Sequence, residues 1–298
     1  MREAFNRQLT ELRQELVYIY ANIDLQLHEA LDALEEGNRE KAKAVKAETR
    51  RLDDRCSALE QKAFMLIATQ QPVASDLRLI QFVIYANFNL ARMSNHVRNI
   101  AKTAKRCAGR DVPAQLIDLL MGEGHLVYGV LSNCVMAIVN EDLRLASSLP
   151  VLDEPVDDLY KQFFRRLSTL GPDDDKDAAS RVVMASRMLE RISDNAVEVG
   201  EKLVFLLTGK RRNLDDLQDL DDDDLAEMYA ARSAGLVADK QVDEELVGQI
   251  PELKNDGAAP AVKAIPADAP AASATAAADA ASAGEAPVAR AEGERDGQ

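Results

Sequence analysis

The 298-residue chain is 47% hydrophobic but only 4% aromatic, with no Trp, a composition that favours helices over sheets. No uninterrupted apolar run reaches the ~18–20 residues of a membrane-spanning helix, and the N-terminus has no signal-peptide core, so we expect a cytoplasmic protein without membrane insertion. The formal charge of −15 lies almost wholly in residues 213–298, which carry 20 acidic and 6 basic residues. Residues 1–212 carry 31 acidic and 30 basic residues. Because this part of the chain is nearly neutral, it gives no electrostatic argument for nucleic-acid binding.

The first third of the chain has the pattern of three long amphipathic helices. Apolar residues recur every three or four positions, which predicts helices over about residues 5–34, 39–69 and 77–107. Gly37 ends the first helix, and Pro72 follows the second because the residue before a proline avoids helical geometry. Ser75 or Asp76 is a suitable N-cap for the third helix, and Gly109 closes it. Residues 1–110 are therefore predicted to form an antiparallel three-helix bundle.

Residues 111–210 repeat this organisation. The same periodicity predicts helices over about 114–139, 141–170 and 176–207, with Gly209 at the C-terminal cap. Pro150 and Pro155 are expected to break or kink the middle helix. The chain is thus predicted to be all-α, with two tandem antiparallel three-helix bundles.

Matching residues in the two bundles support a duplication. Four pairs recur at an offset of 104 residues: Asn38 and Asp142, Ala42 and Ala146, Leu52 and Val156, and Asp53 and Asp157. The offset is 99 between the third and sixth helices, where Leu90-Ala91-Arg92-Met93-Ser94-Asn95 parallels Leu189-Glu190-Arg191-Ile192-Ser193-Asp194. Two units of this size indicate a duplicated domain rather than a solenoid.

Residues 211–298 have a different composition. Residues 214–225 are acidic with spaced leucines, and residues 256–298 are rich in Ala and Pro with no aromatic residue. Such a segment buries too little apolar surface to offset its ordering entropy. We therefore expect residues 211–298 to form a disordered acidic tail, with a short helix between 225 and 247 as the one local exception.

Four carboxylates form two pairs at i, i+4 spacing on the fifth and sixth helices. They are Asp153, Asp157, Glu190 and Asp194. If the helices pack side by side, four oxygen ligands converge, which suits Mg²⁺, Mn²⁺, Ca²⁺ or iron. The alternative is a solvated face of ion pairs, with Arg187 and Arg191 reaching the second pair and Lys161 reaching Asp157. Spacing alone leaves both interpretations open.

Catalytic patterns find little support in the sequence. A di-iron oxidase site takes Glu-x-x-His from facing helices, and none of the three histidines has an acid three residues before it. They are His28, His96 and His125. A metal-dependent, phosphatase-like helical enzyme that uses the second-half carboxylates remains the alternative to a non-enzymatic protein.

The turn between the second and third helices combines a proline with polar side chains. Pro72, Ser75, Asp76 and Arg78 are candidates for a partner-docking corner, and the competing interpretation is a turn that only connects helices.

Together, these motifs resemble the PhoU family of accessory regulators of high-affinity phosphate transport. The family's signature turn is similar to Gln71-Pro72-Val73-Ala74-Ser75-Asp76-Leu77-Arg78, and its repeated acidic elements are similar to Leu189–Asp194 and Asp153–Asp157. The resemblance covers about residues 1–210. It implies a cytoplasmic, non-enzymatic negative regulator that bridges the ATPase subunit of the phosphate ABC transporter and a sensor histidine kinase. It also implies a homodimer, with peripheral association with the membrane through these partners.

The resemblance further implies metal binding through two acidic motifs in each half. In the second half the matching residues are Asp153, Asp157, Glu190 and Asp194, which would hold Mg, Mn, Fe or Zn. In the first half the matching residues are Thr49, Asp53, Ala91 and Asn95. Because only one of these is acidic, we expect metal binding in the second half only.

Overall fold

The computed structural model describes residues 2–209, which form six α-helices and, within that range, no strand. The helices are α1 (Arg2–Glu35), α2 (Arg39–Gln70), α3 (Ala74–Cys107), α4 (Ala114–Asn140), α5 (Leu143–Ser168) and α6 (Lys176–Thr208). Helices α1–α3 pack together as one three-helix bundle and α4–α6 as a second. The predicted all-α class and the pair of bundles are confirmed. The predicted disordered tail lies outside the described residues.

The starts of α2 and α5 show the duplication in detail. Each helix follows a residue with positive φ, Gly37 at +62° and Glu141 at +51°. The next residue caps the helix: Asn38 Oδ1 accepts backbone N–H bonds of 3.1 and 3.0 Å, and Asp142 Oδ1 accepts bonds of 2.8 and 3.1 Å. Side chains of this type satisfy N–H groups that the first helical turn leaves unpaired. The repeat predicted at an offset of 104 residues is therefore present as structure.

Helix α3 begins earlier than its predicted N-cap. Val73 is extended (φ −121°, ψ 154°), occupies the N-cap position and makes no side-chain capping bond. Ser75 and Asp76 lie inside the first turn, so the prediction that one of them caps the helix is wrong. The backbone N–H of Asp76 already donates to the carbonyl of Val73 at 3.1 Å. The helix starts as soon as the chain leaves Pro72 and Val73, because Ala74 is a good helix former.

Helix α5 is continuous through Pro150 and Pro155, so a break at these prolines is wrong, while a kink, the other expected outcome, stays a prediction. A proline removes one i to i−4 hydrogen bond, which at Pro150 is the bond to the carbonyl of Ala146. Helix α6 packs tightly against this turn: a Cβ on Gly200 would lie 3.2 Å from that carbonyl oxygen and 2.5 Å from Leu149 Cδ1. Helix α6 thus packs directly against the turn that lacks this bond.

The two bundles share an interface formed by antiparallel α3 and α6. Contacts follow both helices: Arg110 with Asp175 (2.7 Å), His96 with Met188 (3.2 Å) and Tyr85 with Glu198 (3.2 Å). At the far end, a Cβ on Gly209 would lie 3.6 Å from Nη1 of Arg78. Helix α6, which carries part of the candidate site, is therefore supported by α3 along its length.

Helix α4 is the most apolar of the six. By length and composition it is the one helix among the described residues that could span a membrane, but 56% of its apolar window is buried inside the protein. It packs against α1, α5 and α6. A Cβ on Gly124 would lie 2.4 Å from Leu31 Cδ1, which shows how closely α1 approaches. Helix α4 therefore serves as a core helix of the second bundle.

Candidate functional site

The two predicted acidic pairs lie close enough on α5 and α6 for their charges to act on one another. Burial raises the pKa of Asp153 to about 6; the nearby Ser193 hydroxyl lowers it, and the charges of Asp194 and Asp157 raise it. Burial also raises the pKa of Asp194, and the charge of Asp157 adds to this effect. Burial is the main cause of these rises, and repulsion between the neighbouring carboxylates adds to it.

Glu190 is the most enclosed member of these pairs, with 8% of its surface exposed. Burial and then the charge of Asp194 raise its pKa, whereas Arg187 lowers it. Arg187 forms a close ion pair with Oε1 of Glu190, but Oε2 has no hydrogen-bond partner. Arg187, together with the charge of Arg191, therefore compensates only part of the acidic region.

A fifth carboxylate, Glu123 on α4, joins this region and is absent from the sequence prediction. It is fully buried, and neither of its oxygens has a partner within hydrogen-bond distance. Burial raises its pKa to about 8; the nearby Ser186 hydroxyl lowers it, and the charges of Glu190 and Asp157 raise it. The sequence does contain a signal: Glu123 stands between two glycines in an apolar helix.

The ion pairs proposed as an alternative are partly present. Arg187 contacts Glu190 as predicted. Lys161 pairs with Asp158 at 2.9 Å, so the prediction that it pairs with Asp157 is wrong. Lys161 forms an i, i+3 pair with the exposed Asp158, and Asp157 acts on Lys161 only through its charge.

The side chains of this acidic region are of the type that binds cations, but the distances between them are not those of a formed metal site. All its ligands are carboxylate oxygens, which hard cations prefer, and buried oxygens of Asp153, Glu190 and Glu123 have no hydrogen-bond partner. Within residues 2–209, however, no three His, Cys, Asp or Glu side chains are placed to hold one ion. Binding would require the carboxylates to move closer together.

The corresponding place in the first bundle already contains a cation, the guanidinium of Arg98. Its Nη2 donates to the carbonyl of Thr49 at 3.0 Å, its Nε donates to the Thr49 hydroxyl at 3.2 Å, and it forms a close ion pair with Asp53. Ser94 donates to the same carbonyl at 3.2 Å. Ala91 adds no polar group, and Asn95 is exposed.

The two bundles differ at the position of this arginine. At the offset of 99 residues, Arg98 corresponds to Val197, which is buried and apolar. The first bundle thus has one acid and a fixed internal cation, while the second has several acids and no cation at that position. The sequence comparison of acidic positions alone did not include Arg98.

Replacing Arg98 with Val is expected to destabilise the protein by about 2 kcal/mol, because Asp53 and the Thr49 carbonyl lose their charged donor. Only 15% of the Arg98 side chain is exposed. Urea denaturation measures the change. Arg51→Val is the control: Arg51 is 76% exposed and pairs with Glu48 on the helix surface, so its loss should cost less than about 0.5 kcal/mol. Equal effects of the two substitutions would show that Arg98 has no special structural role.

The predicted docking residues lie at the corner between α2 and α3. Pro72, Ser75, Asp76 and Arg78 are half-buried, whereas Val73 is 72% exposed. The Nε of Arg78 is buried and has no hydrogen-bond partner. Partner docking at this corner stays a prediction.

The fold and the site define a class: a duplicated three-helix-bundle protein with an acidic cluster confined to one copy. The family model described as "PhoU domain" matches residues 19–104 and 120–203, one match in each bundle. The chain belongs to the PhoU family.

This chain aligns with individual relatives over nearly the whole length of each relative. The chain is 32% identical to "Phosphate-specific transport system accessory protein PhoU homolog 1" of Methanothermobacter thermautotrophicus over 208 residues, covering 68% of this chain and 94% of that one. A PhoU homologue of Clostridium acetobutylicum is 30% identical over 218 residues, covering 72% and 99%. The crystal structure of PhoU from Pseudomonas aeruginosa superposes with a TM-score of 0.63 at 26% identity, covering 69% of this chain and 100% of that one.

Proposed function

We propose that this protein is a phosphate-transport-associated regulator, and more specifically a non-enzymatic negative regulator of phosphate uptake and phosphate-starvation signalling. The observation that carries the proposal is the match to relatives named as accessory proteins of the phosphate-specific transport system. That match runs through both bundles and covers 94% and 99% of two such relatives. An accessory role needs docking surfaces and no catalytic centre, which suits a bundle with a polar corner.

The proposed partners are the ATPase subunit of the phosphate transporter and a sensor histidine kinase. Contact with both would place the protein in the cytoplasm, at the membrane only through its partners, and we include a homodimer in the proposal. The corner at Pro72 and Arg78 is a suitable docking surface, because Val73 and Leu77 expose apolar side chains (72% and 42%) beside polar ones.

The acidic cluster is proposed to bind a divalent or iron-type cation. The residues that would hold it are Asp153, Asp157, Glu190 and Asp194, with Mg, Mn, Fe or Zn as candidates. A bound cation supplies the positive charge that removes repulsion among the carboxylates. In the first bundle, Arg98 already supplies that charge to Asp53.

Deleting the gene is expected to raise the expression of phosphate-starvation genes in phosphate-rich medium, because the proposed regulator holds this response off. A transcriptional reporter measures the change, and a plasmid copy of the gene should restore repression. A reporter that stays repressed in the deletion strain would contradict the regulatory role. For this test, any further copy of a related gene must also be deleted from the strain.

A further inference from the structure

An apolar groove lies on the first bundle between α2 and α3. It has a volume of about 520 Å³ and is lined mainly by Ile67, Leu77, Ile84, Tyr85 and Phe88. Phe88 is 61% exposed and Leu77 is 42% exposed. Large apolar side chains that line an open groove are typical of a surface that another segment covers.

The described chain ends beside this groove. Helix α6 ends at Thr208, and Gly209 closes it in the left-handed conformation. A Cβ on Gly209 would lie 3.6 Å from Nη1 of Arg78, the residue that follows the groove residue Leu77. Residues 210–298 therefore start at one end of the groove.

The sequence after Gly209 contains a segment whose pattern and length match the groove. On a helix, Leu214, Leu217, Leu225 and Met228 would fall on one face, as two apolar pairs with Asp221 between them. That face would be ~21 Å long, against ~17 Å for the stretch of α3 from Leu77 to Phe88, at 1.5 Å per residue. The four residues 210–213 span up to ~13 Å, enough to reach from Gly209 to Leu77.

The charge of this segment is complementary to the cations around the groove. Residues 214–228 contain eight acidic residues and no Lys or Arg. Lys202 lies 4.8 Å from the ring centroid of Tyr85, and Arg92 lies 5.8 Å from that of Phe88. Arg78, at the near end, has a buried Nε without a hydrogen-bond partner. Acids also border the groove: Glu60 lines it, Glu198 accepts a hydrogen bond from the Tyr85 hydroxyl at 3.2 Å, and Glu201 lies 3.9 Å from Lys202.

We infer that residues 214–228 dock as an amphipathic helix in the α2–α3 groove of the same chain. The two apolar pairs pack on Leu77 and Phe88, and the aspartates outside this face lie toward Arg78, Arg92 and Lys202. An amphipathic helix in an apolar groove is a common recognition mode, and a short connector gives the segment a high effective concentration. Any partner that uses this groove must first displace the segment.

A tryptophan placed in the groove tests this inference, because the chain has no Trp of its own. Phe88→Trp is introduced into the full chain, with and without serine at positions 214, 217, 225 and 228. Docking predicts a blue-shifted emission with the native segment. With the serines, we expect a red shift and a roughly twofold or larger rise in the acrylamide quenching constant, because the ring loses its apolar cover. A synthetic peptide of residues 210–230 should restore the shielding.

The matched control is Phe164→Trp on the second bundle, where Phe164 is 51% exposed and packs against Tyr160. Its emission should not respond to the serine substitutions. The inference is overturned if the Phe88→Trp protein has the same emission with and without the serines, or if both tryptophan reporters respond equally. It is also overturned if the shielding of the groove tryptophan depends on protein concentration, since the occupant would then be a second copy.

Discussion

Replacing Glu123 with Gln is expected to stabilise the folded protein at pH 8 and to change its stability little near pH 4.5. The folded-state pKa of Glu123 is about 8, raised from 4.5 mainly by burial. Between these pH values the folded protein holds a proton that the unfolded chain has released, so stability falls as the pH rises and levels off above about 8. Gln cannot ionise and removes this loss. At pH 8 the gain should be on the order of 3 kcal/mol, equivalent to a rise of roughly 10 °C in melting temperature.

The measurement is thermal or urea denaturation of both proteins from pH 4.5 to 9, with a chelator present so that bound cations do not contribute. Asp118→Asn is the matched control, because Asp118 lies on the same helix but is exposed. Its stability curve should follow the wild-type curve. If the Glu123→Gln curve also runs parallel to the wild-type curve, the Glu123 carboxyl does not retain its proton in the fold.

The features that sequence predicted well are those set by neighbouring residues. The predicted starts of α2 and α5 are local features, since the structure shows that Asn38 and Asp142 bond there to N–H groups two and three residues ahead. Apolar periodicity is equally local, and it placed the six helices to within a few residues. The repeat then followed from comparing the two halves.

The features that sequence missed depend on contacts between distant helices. Glu123 reaches the acidic region only because α4 packs against α5 and α6. Arg98 fills the first-bundle position by crossing from α3 to Thr49 and Asp53 on α2. Pro150 lies within a continuous α5, against its local propensity, at a turn where α6 packs closely through Gly200.

The largest functional effect is expected from Glu190→Ala combined with Asp194→Asn, which gives the second bundle the residues of the first. Without a cation, burial and mutual repulsion raise the pKa values of Asp153, Glu190 and Asp194. A divalent ion would relieve that repulsion and gain oxygen ligands. Removing two of the carboxylates lowers the repulsion that a cation would relieve and removes oxygen ligands, so metal content should fall to background. The helical circular dichroism signal should remain, because neither residue is part of the apolar core.

The most direct test of second-half cation binding is elemental analysis of the wild-type protein, the Glu190→Ala/Asp194→Asn variant and an Asp53→Asn variant. All three are purified after the same incubation with Mn²⁺ and the same desalting. We predict bound metal in the wild type, background metal in the double variant, and a wild-type amount in Asp53→Asn, since Asp53 is paired with Arg98. Undiminished metal in the double variant, or an equal loss from Asp53→Asn, would contradict a cation site confined to the second bundle.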